Sequence, residues 1–164
     1  MQLTDTEIRR TMANCTRGEA ARMAVPPWVR DVDRAEIDVL GWRDPKAPER
    51  GYLVFPRDGE LVGIALRAST GGGVRAAAMC ALCRTTHAPG HVGLFVARRR
   101  GSAGRNGDTV GTYACGDLAC ARYVRVERAT AALRPDPGIG VDERRAGLRT
   151  RVAAFAETVL DPVG

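Results

Sequence analysis

Four cysteines in two close pairs form the most informative pattern in this 164-residue sequence. Two residues separate Cys80 from Cys83, four separate Cys115 from Cys120, and the second pair follows the first after about thirty residues. Zinc prefers four soft ligands arranged as a tetrahedron, and two such thiol pairs can supply them. A shell of four thiolates leaves no open position for a substrate water. The spacing therefore predicts one structural Zn²⁺ and argues against a catalytic metal.

Other interpretations of these thiols stay open from the sequence alone. The two pairs could be unrelated buried cysteines, or Cys80 and Cys83 could be a redox dithiol, although no thioredoxin-like βαβ pattern surrounds them. His87 and His91 could replace a cysteine as ligand, or they could lie at the surface or form hydrogen bonds. The fifth cysteine, Cys15, is far from both pairs in the sequence, and we expect it to be a buried apolar residue.

Composition indicates one domain in a reducing compartment. Hydrophobic residues make up 45% of the chain, which is enough for a core at this length. The first residues lack the basic and apolar regions of a signal peptide, and no apolar run approaches the roughly twenty residues of a membrane span. We therefore expect a cytoplasmic protein, where paired cysteines more often bind metal than form disulfides.

The chain is basic, with a formal net charge of +6, and only Lys46 among its 25 basic residues is a lysine. Four thiolates and one Zn²⁺ together add a charge of about −2, which lowers the net charge to about +4. Arg84 and Arg122 each lie within two residues of a cysteine and are candidates to offset that local charge. A basic surface suits an acidic partner such as RNA, DNA or an acidic protein, although it also serves ordinary solubility.

Residues 1–50 are predicted to form short N-terminal helices followed by an ordered loop. Thr4 and Glu7 have the spacing of a capping box, which predicts a helix over residues 5–14. A second short helix should follow and end before the proline-rich segment 26–50. Three apolar residues of that segment have surface to bury, namely Trp28, Leu40 and Trp42.

Residues 51–75 are predicted to form a β-hairpin, because two β-rich runs flank a turn that contains Asp58-Gly59. The first cysteine pair then forms a knuckle. A second hairpin follows, with strands over residues 91–98 and 109–114, and its last strand delivers Cys115 to the metal.

Cys115 and Cys120 are five residues apart, so on one regular helix they would point about 140° away from each other. They can share a metal if Cys115 ends a strand and Cys120 lies in the first helical turn, where the helix dipole favours a thiolate. Asp117 suits the N-cap of that helix, which we expect to continue to about Leu133. A treble-clef zinc finger has these elements in the same order: a knuckle, a hairpin and then the start of a helix. We therefore predict such a finger over residues 76–133.

A final helix is predicted from Asp142 to Val159, within residues 138–160. Its expected buried stripe follows the helical period and consists of Leu148, Val152, Phe155 and Val159. The patterns together predict an α+β fold with antiparallel β-hairpins, a treble-clef zinc finger with four cysteine ligands, short N-terminal helices and a C-terminal helix.

A basic hairpin tip is the first candidate for a partner-binding surface. Arg98, Arg99, Arg100 and Arg105 lie on a glycine-rich turn and could contact phosphates or acidic side chains, although they could equally be solvated. Three aromatic residues of the finger are further candidates for contacts, or alternatively members of the core: Phe95, Tyr113 and Tyr123.

The sequence resembles the elongation-factor-G-binding proteins with a C-terminal treble-clef zinc finger, the fusidic-acid-resistance (FusB-type) group. The resemblance rests on residues 80–85 (Cys-Ala-Leu-Cys-Arg-Thr) and on residues 111–120, which end the hairpin and enter the helix. Residues 14–19 and 40–45 are similar to segments of short members of that family. The match covers most of residues 1–133, and the cysteine pattern is its most specific part.

The resemblance implies that residues 1–164 form one FBP-like domain whose four paired cysteines bind a single structural Zn²⁺. It implies a non-enzymatic adaptor in translation that binds elongation factor G, on or off the ribosome, and modulates its release. In drug-resistant members this activity frees a translocase that fusidic acid has locked. The sequence departs from the resistance proteins in having only short helices before the first hairpin.

A zinc-containing protein that binds RNA or DNA is the alternative, because the net charge and the arginine-rich tip suit phosphate contacts. An enzyme has little support, since no Ser–His–Asp order, close carboxylate pair or phosphate-binding loop is present in the sequence. We therefore expect neither a small-molecule substrate nor a membrane partner.

Overall fold

A five-stranded antiparallel sheet organises the chain, of which the computed structural model describes residues 1–161. Its strands are β1 (Leu40–Arg43), β2 (Arg50–Arg57), β3 (Glu60–Ala68), β6 (Val92–Arg98) and β7 (Thr109–Cys115), and they lie side by side in this order. A smaller sheet contains β4 (Ala78–Met79), β5 (Thr86–His87) and β8 (Leu133–Arg134), with β5 in the middle. This confirms the predicted α+β class.

Six helices accompany the sheets in the described part of the chain. They are α1 (Asp5–Thr11), α2 (Arg17–Ala21), α3 (Pro27–Arg30), α4 (Ser102–Arg105), α5 (Cys120–Tyr123) and α6 (Val141–Leu160). Within residues 1–161, no helix combines the length and the apolar character needed to cross a membrane.

The middle of β2 is buried on both faces of the sheet, because its side chains alternate between two cores. Leu53 and Phe55 belong to a core with the four paired cysteines and the apolar stripe of α6. Tyr52 and Val54 point to the opposite core, which is built from the N-terminal helices and Trp42. The hairpin β2–β3 thus lies between the metal-binding half and the N-terminal half of the core.

The two N-terminal helices begin at complete capping boxes. Thr4 accepts a hydrogen bond from the backbone of Glu7, and the Glu7 side chain accepts one from the Thr4 backbone, as predicted; Thr16 and Glu19 do the same for α2. The first helix ends at Thr11 and does not reach residue 14. It stops there because the next residues pair with β3 as an extended segment, through a backbone bond from Ala13 to Gly63.

Asn14 fills a fork in the sheet. Strands β3 and β6 pair only through Arg67 and Ala68, and beyond this point they separate. The Asn14 side chain accepts a hydrogen bond from the Ala65 amide at 2.7 Å and donates to the carbonyls of Ala65 and Arg98 at 3.0 Å. A buried amide therefore replaces the missing strand-to-strand bonds.

The segment 26–50 is ordered, as predicted, but it holds more regular structure than a loop. Besides α3 it contains a 3₁₀ turn at Arg34–Glu36 and the edge strand β1. Leu40 and Trp42 are buried, whereas Trp28 is 50% exposed, so its predicted burial is wrong.

The helix expected to run from residue 118 to about Leu133 is a single turn, α5, so that prediction is wrong. The helix ends early because the buried guanidinium of Arg144 donates hydrogen bonds to the carbonyls of Val124 and Val126. These carbonyls are then not available to continue the helix. Leu133 then enters β8 and pairs with β5. Asp117 accepts a hydrogen bond from Ala119, but it caps the turn before α5 and not a long helix.

The C-terminal helix α6 extends the prediction by one residue at each end. It buries Leu148, Val152 and Val159 of the predicted stripe, whereas Phe155 is only partly buried. It is tied to the N-terminal half by Asp38, whose carboxylate accepts bonds from Arg145 and Arg149 at 2.7 Å. Burial opposes the charge of Asp38, but these hydrogen bonds outweigh it and lower the pKa of the carboxyl group.

Replacing Asn14 by alanine should lower the free energy of unfolding by about 2–3 kcal/mol, because three backbone groups in the fork lose their partner. Urea denaturation of the two proteins would measure the difference. Asn106→Ala is the matched control, since its side chain is exposed and forms no hydrogen bond within residues 1–161. Equal losses in the two variants would show that the fork does not depend on this amide.

Candidate metal centre

The four paired cysteines converge on one point. Their sulfur atoms all lie within 4.8 Å of one another, and every one of these residues is fully buried. The Sγ–Sγ distances are 3.7 Å for Cys80–Cys120, 3.4 Å for Cys83–Cys115 and 3.6 Å for Cys115–Cys120. A regular tetrahedron with Zn–S bonds of about 2.3 Å requires about 3.8 Å between sulfurs. The residues present therefore fit a single structural Zn²⁺ with four thiolate ligands.

The first two ligands lie on a tight knuckle between β4 and β5. The turn closes through backbone bonds from Cys80 to Thr85 and from Arg84 to Cys80. The amides of Leu82 and Cys83 donate to the Cys80 sulfur at 3.3 and 3.4 Å. Such N–H···S contacts favour the thiolate, so the knuckle orients its ligand and also stabilises the charge.

The other two ligands come from a strand end and a helix start, as the five-residue spacing predicted. Cys115 is the last residue of β7, and Cys120 is the first residue of α5. Between them, Leu118 adopts a left-handed backbone with φ of 58° while its side chain is fully buried. Gly41 makes this approach possible, because a Cβ there would lie 2.2 Å from the Leu118 carbonyl oxygen. The Arg43 side chain donates a hydrogen bond to the carbonyl of Gly116, two residues before Leu118, at 2.7 Å. This bond holds the same loop in place.

Charge at the centre requires a cation. The neighbouring Cys115 sulfur, followed by those of Cys80 and Cys83, raises the pKa of the Cys120 thiol, and burial adds to that rise. A divalent metal offsets these effects and allows all four thiols to ionise. The ion supplies charge neutralisation and a fixed geometry, and the filled shell leaves no position for substrate chemistry.

Arg151, which the sequence did not single out, places a positive charge beside the knuckle. The Arg151 side chain of α6 donates to the Leu82 carbonyl at 2.6 Å. Burial lowers its pKa, and the repulsion of nearby Arg84 adds to this effect, while the charges of Cys83 and Cys80 favour its protonated form. Arg84, a predicted candidate, directly follows the ligand Cys83 and is exposed. Arg122 instead lies over the ring of Tyr123.

His87 makes the closest non-cysteine contact to the centre. Its Nε2 atom lies 3.2 Å from the Cys115 sulfur, and its ring meets Tyr123 edge to face with centroids 4.7 Å apart. Of the roles left open by the sequence, His87 therefore has the hydrogen-bonding one and is buried. His91 is exposed and has the surface position. Neither histidine belongs to the four-sulfur cluster.

Two of the three candidate contact aromatics keep some exposed surface. Tyr113 is 51% exposed on β7, which is an edge strand. Tyr123 is partly buried and its hydroxyl donates to Asp117. Phe95 is only 1% exposed, because β6 points it into the core beneath Arg43, and its proposed role as a surface contact is therefore corrected.

The arginines of the hairpin tip have different environments. Arg98 pairs with Glu19 at 2.7 Å, and Arg99 donates to the Thr158 carbonyl of α6. Arg100 is anchored to α6 only by its backbone, and Arg105 is exposed. The predicted glycine-rich turn contains helix α4 and is attached to α6. Arg100 and Arg105, two of its four arginines, have no ion pair within residues 1–161.

Cys15 does not join the metal centre, as its position in the sequence led us to expect. It is only partly buried and lies on a groove beside Glu19, so its predicted full burial is wrong. Burial, followed by the negative charge of Glu19, raises the pKa of its thiol.

The knuckle, the hairpin and the helix start, joined by four sulfurs, define a treble-clef zinc finger. The family described as FBP C-terminal treble-clef zinc-finger matches residues 7–159, which is nearly the whole chain. The chain therefore belongs to this family. The comparison with curated proteins and the comparison with solved structures found no match.

Cys83→Ser and Cys120→Ser should each abolish stoichiometric zinc binding and unfold at least the finger, because structural zinc contributes directly to folding. Elemental analysis and thermal denaturation would measure both effects. Cys15→Ser is the matched control and should keep its zinc and its melting temperature. Full zinc content in either ligand variant would contradict a four-thiolate site.

His87→Phe should weaken zinc binding about 10–100-fold, because it removes the N–H···S contact while an aromatic ring still packs on Tyr123. Competition with a chromogenic chelator would report the change in affinity. His91→Phe changes an exposed histidine of the same segment and should leave the affinity unaltered. An equal affinity in the two variants would remove His87 from the metal site.

Proposed function

We propose that this protein is a zinc-stabilised, non-enzymatic binding protein whose partner is translation elongation factor G, and that it modulates release of that factor from the ribosome. Membership of the FBP zinc-finger family is the observation that carries the proposal. The closed four-thiolate centre supports a binding role, since its metal has no position free for a substrate.

The exposed face of the finger is the contact surface that we favour. Two of the large hydrophobic residues exposed to solvent lie there, Tyr113 on β7 and Met79 on β4. The two strands are close together, because the Ala81 amide donates to the Tyr113 carbonyl at 2.8 Å. Exposed aromatic and methionine side chains are enriched at protein interfaces. Arg100 and Arg105, at the other end of the hairpin, would add charged contacts at the rim.

A pull-down with purified elongation factor G should recover a stoichiometric complex at micromolar protein, and a strong zinc chelator should abolish it. Tyr113→Ala should weaken the complex by about tenfold or more, as expected for an aromatic residue central to an interface. Trp28→Ala is a matched control, because Trp28 is 50% exposed but belongs to α3, outside the finger. Recovery of no complex would overturn the proposal. Equal weakening by both substitutions would overturn the choice of surface.

Nucleic-acid binding is the second candidate, favoured by Arg100 and Arg105 of the hairpin tip, which have no ion pair within residues 1–161. Phosphate contacts predict an affinity for RNA or DNA that falls steeply as salt increases. Arg100→Ala and Arg105→Ala should then reduce both the affinity and its dependence on salt. Weak binding of RNA and DNA at about 50 mM salt would exclude this function.

A further inference from the structure

Three neighbouring strands each place an arginine on the same face of the large sheet. Arg50 of β2 and Arg67 of β3 are direct partners in the antiparallel register. Arg67 is also paired with Val96 of β6, and Arg98 lies two residues beyond Val96 on the same face. Arg50 and Arg67 lie on paired strands about 4.8 Å apart, whereas Arg98 lies where β3 and β6 separate and lines the same groove.

This face forms the floor of an open groove of about 560 Å³, which we call the arginine groove. The segment from Asn14 to Arg22, which includes α2, forms one wall. The lining also includes three small apolar residues, namely Ala65, Ala68 and Val96. Three residues with hydroxyl groups border the groove, namely Ser69, Thr70 and Thr109.

The charges of the arginine groove are not balanced. Arg98 is satisfied by Glu19, the only carboxylate that lines the groove among the described residues. Arg22, Arg50 and Arg67 have no carboxylate within 4.0 Å in residues 1–161. Four guanidinium groups and one carboxylate give the lining a charge of about +3. Like charges directly opposite on adjacent strands destabilise a sheet, and an anion bound between Arg50 and Arg67 would remove that repulsion.

We propose that the arginine groove binds a small nucleoside polyphosphate through its phosphate groups. One guanidinium group can donate two parallel hydrogen bonds to the oxygens of a phosphate. Arg22, Arg50 and Arg67, which have no ion pair within residues 1–161, offer several such donor pairs in one groove. The volume lies in the range of small-molecule sites, and the apolar floor can receive the organic part of the ligand. The arginines cluster in one concavity and do not form a long stripe, which favours a compact ligand over a nucleic-acid strand or a protein segment.

Isothermal titration of the zinc-loaded protein with ATP, at low salt and without magnesium, tests the proposal. One molecule of ATP should bind per chain, and adenosine should bind much more weakly. Arg50→Gln and Arg67→Gln should each weaken ATP binding about tenfold or more, since each removes charge-assisted bonds. Arg128→Gln is the matched control, because Arg128 is exposed, lies outside the groove and has no ion pair within residues 1–161.

Cys15 provides an independent report from inside the arginine groove. It is partly exposed there, whereas the other four cysteines are fully buried at the metal centre. Iodoacetamide should therefore label Cys15 selectively, and ATP but not adenosine should slow the labelling. The Arg67→Gln variant should lose this protection.

Four results would overturn the proposal. These are no ATP binding at millimolar concentration, equal affinity for ATP and adenosine, equal weakening by the groove variants and by Arg128→Gln, and unaltered labelling of Cys15. Binding of a single-stranded RNA that is lost in the Arg50→Gln and Arg67→Gln variants, without binding of ATP, would instead assign the groove to nucleic acid. None of these results bears on the metal centre or on the binding of elongation factor G.

Discussion

Four sulfur atoms sharing one divalent cation is the constraint on which the finger depends. The elements around the metal, apart from the hairpin β6–β7, are too short to persist alone, since β4, β5 and β8 have two residues each and α5 has four. A structural zinc ion contributes about 10–16 kcal/mol in small zinc-binding peptides, which is far more than these elements can supply. Burial of the four ligands and the left-handed backbone of Leu118 are tolerated because the metal holds both chain segments.

The finger is nevertheless part of a larger unit, because buried polar side chains connect it to distant segments. Arg144 and Arg151 extend from α6 to backbone carbonyls of the finger, one beyond α5 and one in the knuckle. Asn14 performs the corresponding role between β3 and β6, and Asp38 binds α6 to the segment before β1. Asn14, Arg144 and Arg151 satisfy backbone groups that regular secondary structure leaves unpaired, whereas Asp38 pairs with arginine side chains of α6.

Local signals in the sequence were sufficient for the elements whose stability is local. The capping box of α1, the Asp58-Gly59 hairpin and the apolar stripe of α6 depend on residues a few positions apart, and all three are present. Two outcomes that the sequence did not settle have a different cause. The helix expected after Asp117 is ended by Arg144, and Phe95, which could have been a contact or a core residue, is buried by contacts between strands and Arg43. In both cases residues distant in sequence decide the outcome.

The sequence by itself indicated the metal, a structural zinc ion, because two close pairs of thiols suit its tetrahedral shell. Their spacing also determined that one ligand ends a strand and another begins a helix. Only the tertiary structure decided which groups surround that metal and which arginines have no ion pair within residues 1–161. His87 and Arg151 approach the sulfurs, and Arg50 faces Arg67 across two strands, through the path of the folded chain. The physical reason is range: ligand chemistry and caps act between near neighbours in sequence, whereas burial, pairing and charge compensation depend on residues that folding brings together.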